Sequence, residues 1–456
     1  MKQDILPILG DNMPDAQYIN EVALIKYFLE LVTMDPDFRS KLESNSEKVL
    51  KETGIPYNYE DLRILYDADA YKEYEKEKEI PLFVKRYRGF IDEKLNMRNE
   101  MRADKCKPEN NAMMIWRQRQ INRCWIEMGY RNDSIIHTPT TYELDLGCSV
   151  QCEFCGIDAP CLSKVARYNE NKELWRGILS SMKEILGDAA GSGTCYYATE
   201  PLDNADYELF INDFYNEFSH LPQITTAAAL RNIERTKKCF EHMRNLSPTI
   251  YRCSVRSIDE LRTFHKEFTP EELLLVELLP QYEGAPCNSF TPVGRACTEL
   301  REISNGETIA CISGFVINLA EKSIRLITPC GATKQHPTGE KILGKKFFTD
   351  IENFRDTVKN MIEKYIVNEI KSDQVLSFYP YITYQESENS LLGNGGFKIS
   401  FNSDDNPTLY KELIQLILKG DKTKREIASE LYDKDYQPAN VYLAINNLYK
   451  AGAIME

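Results

Sequence analysis

The chain predicts an α/β fold: a partial, TIM-like (β/α)6 barrel between an N-terminal helical module and a C-terminal winged helix-turn-helix. Three observations carry this. From about residue 138, short apolar runs alternate with helical stretches, the pattern of parallel βα units. The first of those runs leads straight into a cluster of cysteines, and barrels of this type build their sites where the strands end. The texture on either side is different, charged and helical before residue 138 and three short helices after residue 407.

At the N-terminus, Tyr18, Val22, Leu24, Ile25, Phe28, Leu29 and Val32 fall at helical spacing. Asp35-Pro36-Asp37 is a start signal for a second helix through Leu50, and Gly54-Ile55-Pro56 stops it. Residues 70–130 read as charged helix with breaks at Pro81 and Pro108. Strands are expected at 142–146, 194–198, 224–230, 249–255 and 273–279, with helices at 172–187, 205–218, 232–245 and 258–268 between them. A sixth strand is expected near 309–317. Asn318-Leu319-Ala320-Glu321-Lys322 then makes a hairpin turn, and the chain returns through 323–328.

A helix at 350–370 and strand-like alternation over 375–402 follow, with a turn at Gly393-Asn394-Gly395-Gly396. The last helices are expected at 408–419, 424–432 and 438–450. Thr423 and Glu426 form a capping box, and Gly420 and Gly452 act as stops. The organisation is therefore 1–66 helical module, 67–137 helical linker, 138–335 barrel with closing hairpin, 336–406 bridging helix and strands, and 407–456 winged helix-turn-helix. A length of 456 residues suits several such units.

With 42% hydrophobic and 28% charged residues the composition is that of a globular protein. The net charge of −14 argues against a general binder of nucleic acid or anionic membrane. Residues 71–131 are locally basic, which reads as a solvated helical face ahead of a docking face for an acidic partner. No apolar run is long enough to span a bilayer, and the opening Met1-Lys2-Gln3-Asp4 lacks the pattern of a secretion signal. A cytoplasmic protein is expected, with its 13 cysteines as thiols or ligands rather than a disulfide framework.

The chemistry centres on Leu146-Gly147-Cys148-Ser149-Val150-Gln151-Cys152-Glu153-Phe154-Cys155. Thiolates are the ligands of iron–sulfur clusters, and three cysteines spaced C-x3-C-x2-C leave one iron of a cubane without a protein ligand. A structural zinc site is the alternative, but zinc wants a second paired half and Cys152/Cys155 is the one C-x2-C in the chain.

This segment, with Phe154 just before the last cysteine, resembles the signature of the radical S-adenosylmethionine (SAM) enzymes. The resemblance implies a [4Fe–4S] cluster on Cys148, Cys152 and Cys155, whose open iron chelates the amino and carboxylate groups of SAM. It counts Phe154 with the cofactor-binding residues. It also implies that Ala198-Thr199-Glu200-Pro201 stands where the family has Gly-Gly-Glu, although both glycines are absent, so that Thr199 and Glu200 carry over. Thr226, Ser254 and Arg256, at expected strand ends, are implied as contacts to the ribose and carboxylate of SAM. The bland reading of each is an ordinary polar residue at a strand end.

Of the remaining cysteines, Cys287, Cys297, Cys311 and Cys330 are spaced too irregularly to suggest a second cluster, and most free cysteines act as small buried hydrophobes. Cys330 differs: it lies in Ile327-Thr328-Pro329-Cys330-Gly331, a turn expected to present the thiol. The stretch from Gly314 to Gly339, together with Tyr196-Tyr197-Ala198-Thr199-Glu200-Pro201-Leu202-Asp203, resembles the radical SAM peptide epimerases of proteusin maturation, the polytheonamide type. That resemblance implies abstraction of the Cα hydrogen of an L-residue and return of hydrogen by a thiol from the opposite face, with Cys330 as donor. It implies as partners a leader-bearing precursor peptide and a flavodoxin- or ferredoxin-like reductant. Residues 37–55 resemble the nitrile-hydratase-like leaders of proteusin precursors, while a plain helical pair packed on the barrel is the simpler reading.

In the C-terminal unit, residues 407–456 balance 7 basic against 7 acidic residues and helix 438–450 holds only Lys450. Peptide recognition is therefore expected there ahead of DNA binding. The competing functions are another radical peptide modification (a thioether or carbon–carbon cross-link) and an iron–sulfur DNA-binding regulator.

Overall fold

A computed structural model describes residues 5–10, 13–282, 285, 291–297, 307–401 and 406–456. Cys287 lies outside the described residues. The N-terminal helices form where their caps dictate. Asp15 accepts a hydrogen bond from Tyr18 N and opens helix Ala16–Met34, and Asp35, followed by Pro36, opens Pro36–Ser44. The helix expected to run on through Leu50 is divided. Asn45 ends the first piece and its side chain accepts from Lys48 N to start Ser46–Glu52, a local bond that competes with helix continuation. Helix Leu82–Glu100 begins after Pro81 and helix Asn111–Met128 after Asn110. The N-terminal helices are tied to the α/β region through Arg262, which bonds Asp35 (2.9 Å) and Asp37, and through Tyr282, which bonds Met34 O.

Ten strands are formed among the described residues. β1 is Thr138–Glu143, β2 Ile224–Thr226, β3 Tyr251–Val255 and β4 Val276–Pro280. β5 is Ile312–Asn318, β6 Ser323–Pro329 and β7 Glu340–Phe347; β8 is Ile382–Gln385, β9 Ser390–Gly393 and β10 Lys398–Ser400. β2, β3 and β4 pair in parallel, and β1 and β5 pair in parallel. Antiparallel pairing adds β6 and β7 beyond β5, and β8, β9 and β10 make a separate small sheet. The hairpin turn at 318–322 forms as expected, with Lys322 in the left-handed region, and β7 extends it.

The structure corrects the sequence reading of the barrel: its first strand is Thr138–Glu143 rather than 142–146, and two further differences bear on the layout. The strand expected at 194–198 is reduced to one parallel bridge, Thr194 to Gln223, with Tyr142 N donating to Thr194 O (2.9 Å) on its other side. Thr194 Oγ1 bonds Tyr196 O two residues on, and Tyr196 OH meets Thr225 Oγ1. These side-chain bonds curl the segment out of a ladder. The sixth strand, β5, lies beside β1 rather than beside β4, so the order is β4-β3-β2-(Thr194)-β1-β5-β6-β7. All seven residues of β5 are buried, which requires a neighbour on each edge and cover on each face.

Helices Tyr168–Leu186 and Tyr207–Phe218 cover β1 from outside. Tyr142 meets Trp175 edge-on at 5.5 Å, Trp175 meets Phe210 at 5.8 Å, and Tyr142 meets Phe214 at 5.8 Å. The alternating residues Thr141 and Glu143 face the other way, toward the concave side.

At the C-terminus, helices Pro407–Lys419, Lys424–Tyr432 and Pro438–Lys450 enclose a core that includes Leu413, Ile417, Ile427, Leu431 and Ile445. The Thr423/Glu426 capping box is formed, and Gly420 and Gly452 have positive φ. Among the described residues no helix is long and apolar enough to cross a membrane.

Candidate cluster and cofactor site

β1 runs out at Glu143 and the cysteine loop begins five residues later. Its base is a short ladder: Leu146 N donates to Lys164 O (2.8 Å), Ser163 N to Leu146 O (2.8 Å) and Cys148 N to Pro160 O (2.9 Å). Gly147, at φ +87°, lies against the Pro160–Cys161 backbone where a Cβ has no room. Gln151 stitches the loop from within, its amide donating to Cys148 O (2.7 Å) and Pro160 O (3.0 Å). Asp203 holds Ser149 through the backbone N (2.8 Å) and through the hydroxyl, and Arg231 bonds Ser149 Oγ at 2.5 Å.

Cys148, Cys152 and Cys155 are all half-buried and unoxidised. Burial pushes the Cys152 thiol up to about 11, and the charges of Cys148 and Cys155 push in the same direction. The three sulfurs therefore share one site. Val150 N and Ala159 N approach Cys148 Sγ and Cys155 Sγ at 3.4 Å each, the direction from which backbone dipoles stabilise thiolates. Among the described residues no three His, Cys, Asp or Glu side chains converge as ligands of a single metal ion. Thiolates that each hold a different iron of one cluster stand further apart than that. The donor set, its half-burial and the N–H groups fit an iron–sulfur cluster better than zinc.

Glu200 is 3% exposed and burial holds its carboxyl above the usual range. Oε1 accepts from Thr226 Oγ1 (2.5 Å) and Leu202 N (3.1 Å), and Oε2 accepts from Ala227 N (2.9 Å). Glu200 and Thr226, singled out separately in the sequence, are thus one hydrogen-bonded unit where β2 ends. Glu200 also lies within electrostatic reach of Cys148 and Cys152, as does Arg256 of Cys152. Arg256 is exposed and its Nε and Nη2 engage Glu260 Oε1; among the described residues its Nη1 has no partner. Ser254 is half-buried near the end of β3, and Thr199 and Phe154 are half-buried beside Glu200 and Cys155. The structure brings the three cysteines, Glu200, Thr226 and Arg256 to one end of the parallel strands.

Cys330 is placed elsewhere. β6 runs antiparallel to β5, so its last residue, Pro329, lies toward the start of β1 and β5, while Cys148 follows the far end of β1. The expectation that the Pro-Cys-Gly turn presents the thiol is corrected: Cys330 is 6% exposed, and burial pushes it up to about 12, with Glu127 adding to the effect. Helix Asn111–Met128 covers it. Arg123 bonds Pro329 O, Arg123 Nη1 pairs with Glu127 at 2.5 Å, and Glu127 Oε1 accepts from Gly331 N (2.8 Å).

Several residues of the site carry no motif. On the concave face Arg325 pairs with Glu143 (3.3 Å) and Glu340 (3.5 Å), and Tyr197 OH donates to Glu340 (2.6 Å). Cys311 is accessible, yet burial raises its thiol. A side chain both accessible and crowded lines an internal hollow, and Tyr196 lies within electrostatic reach of both Cys311 and Glu200.

No family model matches the chain. It is 34% identical over 363 residues to the uncharacterized protein y4wI of Sinorhizobium fredii, covering 76% of this chain and 69% of that protein. The chain belongs to the family of that protein. Among solved structures, the crystal structure of BtrN in complex with AdoMet and 2-DOIA is similar at a TM-score of 0.33 and 10% identity, over 50% of this chain and 82% of that one. A likeness of that size decides neither fold nor chemistry.

Proposed function

We propose that this chain is a radical SAM enzyme that epimerises residues of a leader-bearing ribosomal precursor peptide. The observation that carries the first half is the gathering of Cys148, Cys152 and Cys155 with Glu200, Thr226 and Arg256 at the end of the strands. The three cysteines would hold three irons of a [4Fe–4S] cluster, and SAM bound there would supply a 5′-deoxyadenosyl radical. The chain's own groups then have definite tasks. A carboxylate has about four acceptor positions; Glu200 uses three, leaving one on Oε2 for a substrate ammonium. Arg256 keeps Nη1 for a substrate carboxylate while Glu260 holds its Nε and Nη2. The concave face, with Tyr196, Tyr197 and Arg325, would line the space for the peptide. The reductant would be a small flavodoxin- or ferredoxin-like protein.

The second half rests on the sequence resemblance to the peptide epimerases. The hydrogen atom returned to Cα would come from a thiol, the thiyl left behind taking an electron from the reductant and a proton from solvent, and a hydrogen-atom donor needs no depressed pKa. Cys330 holds that role by resemblance, and Cys311 by its accessibility. Incubation of the reconstituted enzyme with SAM, reductant and precursor peptide in D2O tests both. Epimerisation adds one deuterium per converted residue, because the thiol hydrogen exchanges with solvent, whereas a cross-link removes two hydrogens. Cys330→Ala should accumulate 5′-deoxyadenosine without D-residues. Wild-type conversion by Cys330→Ala with loss in Cys311→Ala would move the role to Cys311, and SAM turnover that gives a cross-linked peptide would overturn the epimerase reading.

A further inference from the structure

The cysteine loop is held from outside by one residue that has no motif around it. Arg295, in the connection between β4 and β5, donates its backbone N to Cys155 O (2.9 Å). Its guanidinium donates Nη1 to Cys152 O (3.2 Å) and Nη2 to Ala159 O (2.6 Å), and Nε bonds Asp158 Oδ1 (3.1 Å). One residue thus grips the carbonyls of two of the three cysteines and of the residue whose N–H approaches Cys155 Sγ. The neighbouring Gly294 makes the approach feasible. At φ +57° it lies against Gly156 O and Cys155 O, where a Cβ has no room, and its N donates to Pro337 O (2.9 Å).

We propose that Arg295 is a positioning residue for the cluster, holding the Cys152–Ala159 arc in the shape its ligands need. This rests on the cluster reading above. A planar fork that bonds two loop carbonyls fixes their separation, which a single donor does not. The internal Gln151 stitch reaches Cys148 O, Pro160 O and, at 3.3 Å, Ala159 O, and turn bonds from Cys155 N and Asp158 N reach Cys152 O and Cys155 O (3.2 Å each). Among the described residues Arg295 is the one residue from outside the loop that bonds the Cys152 and Cys155 carbonyls. Asp158 is 59% exposed and orients the guanidinium only from the solvent side, so its ion pair should matter little.

The test uses the full chain, reconstituted anaerobically with iron and sulfide. Iron release to a chelator is followed by absorbance, alongside the EPR spectrum of the reduced protein with and without SAM. Outer-shell partners typically change metal retention roughly 10–100-fold, so Arg295→Gln should release iron at least about tenfold faster than wild type and show a broadened or altered EPR signal. Arg295→Lys keeps the charge but loses the fork, and should resemble Arg295→Gln. Asp158→Asn should release iron close to the wild-type rate.

Wild-type retention by Arg295→Gln or by Arg295→Lys overturns the clamp, as does equally fast release from Asp158→Asn. A circular dichroism spectrum of the apo variants matching wild type shows that faster release is not misfolding, and a misfolded Arg295→Gln would itself make the role one of general folding and overturn the specific proposal. A wild-type chain that takes up no cluster overturns the cluster reading and the clamp together. Uptake by wild type with indistinguishable variants overturns the clamp alone.

Discussion

Two cysteine-bearing turns terminate opposite ends of the sheet that contains β1 and β5, and they are built on different principles. The Cys148–Cys155 loop is held by hydrogen bonds to its own backbone from Gln151, Asp203 and Arg295, and leaves its three thiols half-buried. The turn at Cys330 is sealed by helix Asn111–Met128, with Arg123 buried and Glu127 half-buried against it. A loop stabilised by polar ties keeps its thiols available to a ligand. A turn sealed under a helix keeps its thiol from solvent.

The contrast can be broken at either end. The largest effect expected is at the loop: Cys152→Ala should lose the cluster and all SAM cleavage, while unfolding free energy changes by about 1 kcal/mol or less, since the side chain is half-buried. Iron content and urea unfolding of the same preparation check both halves. At the other end, Arg123→Met should cost about 3 kcal/mol by leaving half-buried Glu127 and the buried Pro329 carbonyl without their partner, with iron per folded chain unchanged. An Arg123→Met protein of normal stability would erase the distinction.

A third, intermediate effect depends on pH. Burial raises the Asp145 carboxyl from 3.8 to about 6, against the bonds it accepts from Ala166 N and Asn204 Nδ2. A carboxyl with a native value above its unfolded one binds its proton more tightly when folded. That contribution is complete below pH 3.8 and is lost as pH rises through about 6. Asp145→Asn does not titrate, so the stability of the variant relative to wild type should rise between pH 4 and pH 7, by up to about 3 kcal/mol. Denaturant unfolding at the two pH values measures it, and a gap that stays constant or moves the other way would refute the assignment.

The smallest effect is Thr226→Val, which removes one of three donors to Glu200. It should cost about 1–2 kcal/mol and weaken SAM binding, measured by calorimetry on the reconstituted protein.

What was legible in the sequence was local. The cysteine spacing, the Thr423/Glu426 box, the 318–322 hairpin turn and the helices over β1 all depend on residues near one another in the chain. What was not legible depends on partners far apart. Periodicity marked β5 as a buried strand, but its place beside β1 rather than β4 is set by pairing across some 170 residues. The 194–198 segment has strand-like residues, yet the Thr194 hydroxyl satisfies Tyr196 O two residues on, and the Tyr196 hydroxyl turns to Thr225 on β2. Pro329-Cys330-Gly331 looks like an exposed turn because Arg123 and Glu127, which seal it, lie about 200 residues earlier. Arg295 is a single arginine in a connection and announces nothing until its fork is seen on the loop carbonyls.

The most direct test of the account is the EPR spectrum of the anaerobically reconstituted, reduced wild-type chain before and after addition of SAM. The account predicts a [4Fe–4S] signal that shifts on SAM addition, and its absence from Cys152→Ala. A protein that binds zinc in place of iron, or a cluster signal indifferent to SAM, would contradict it.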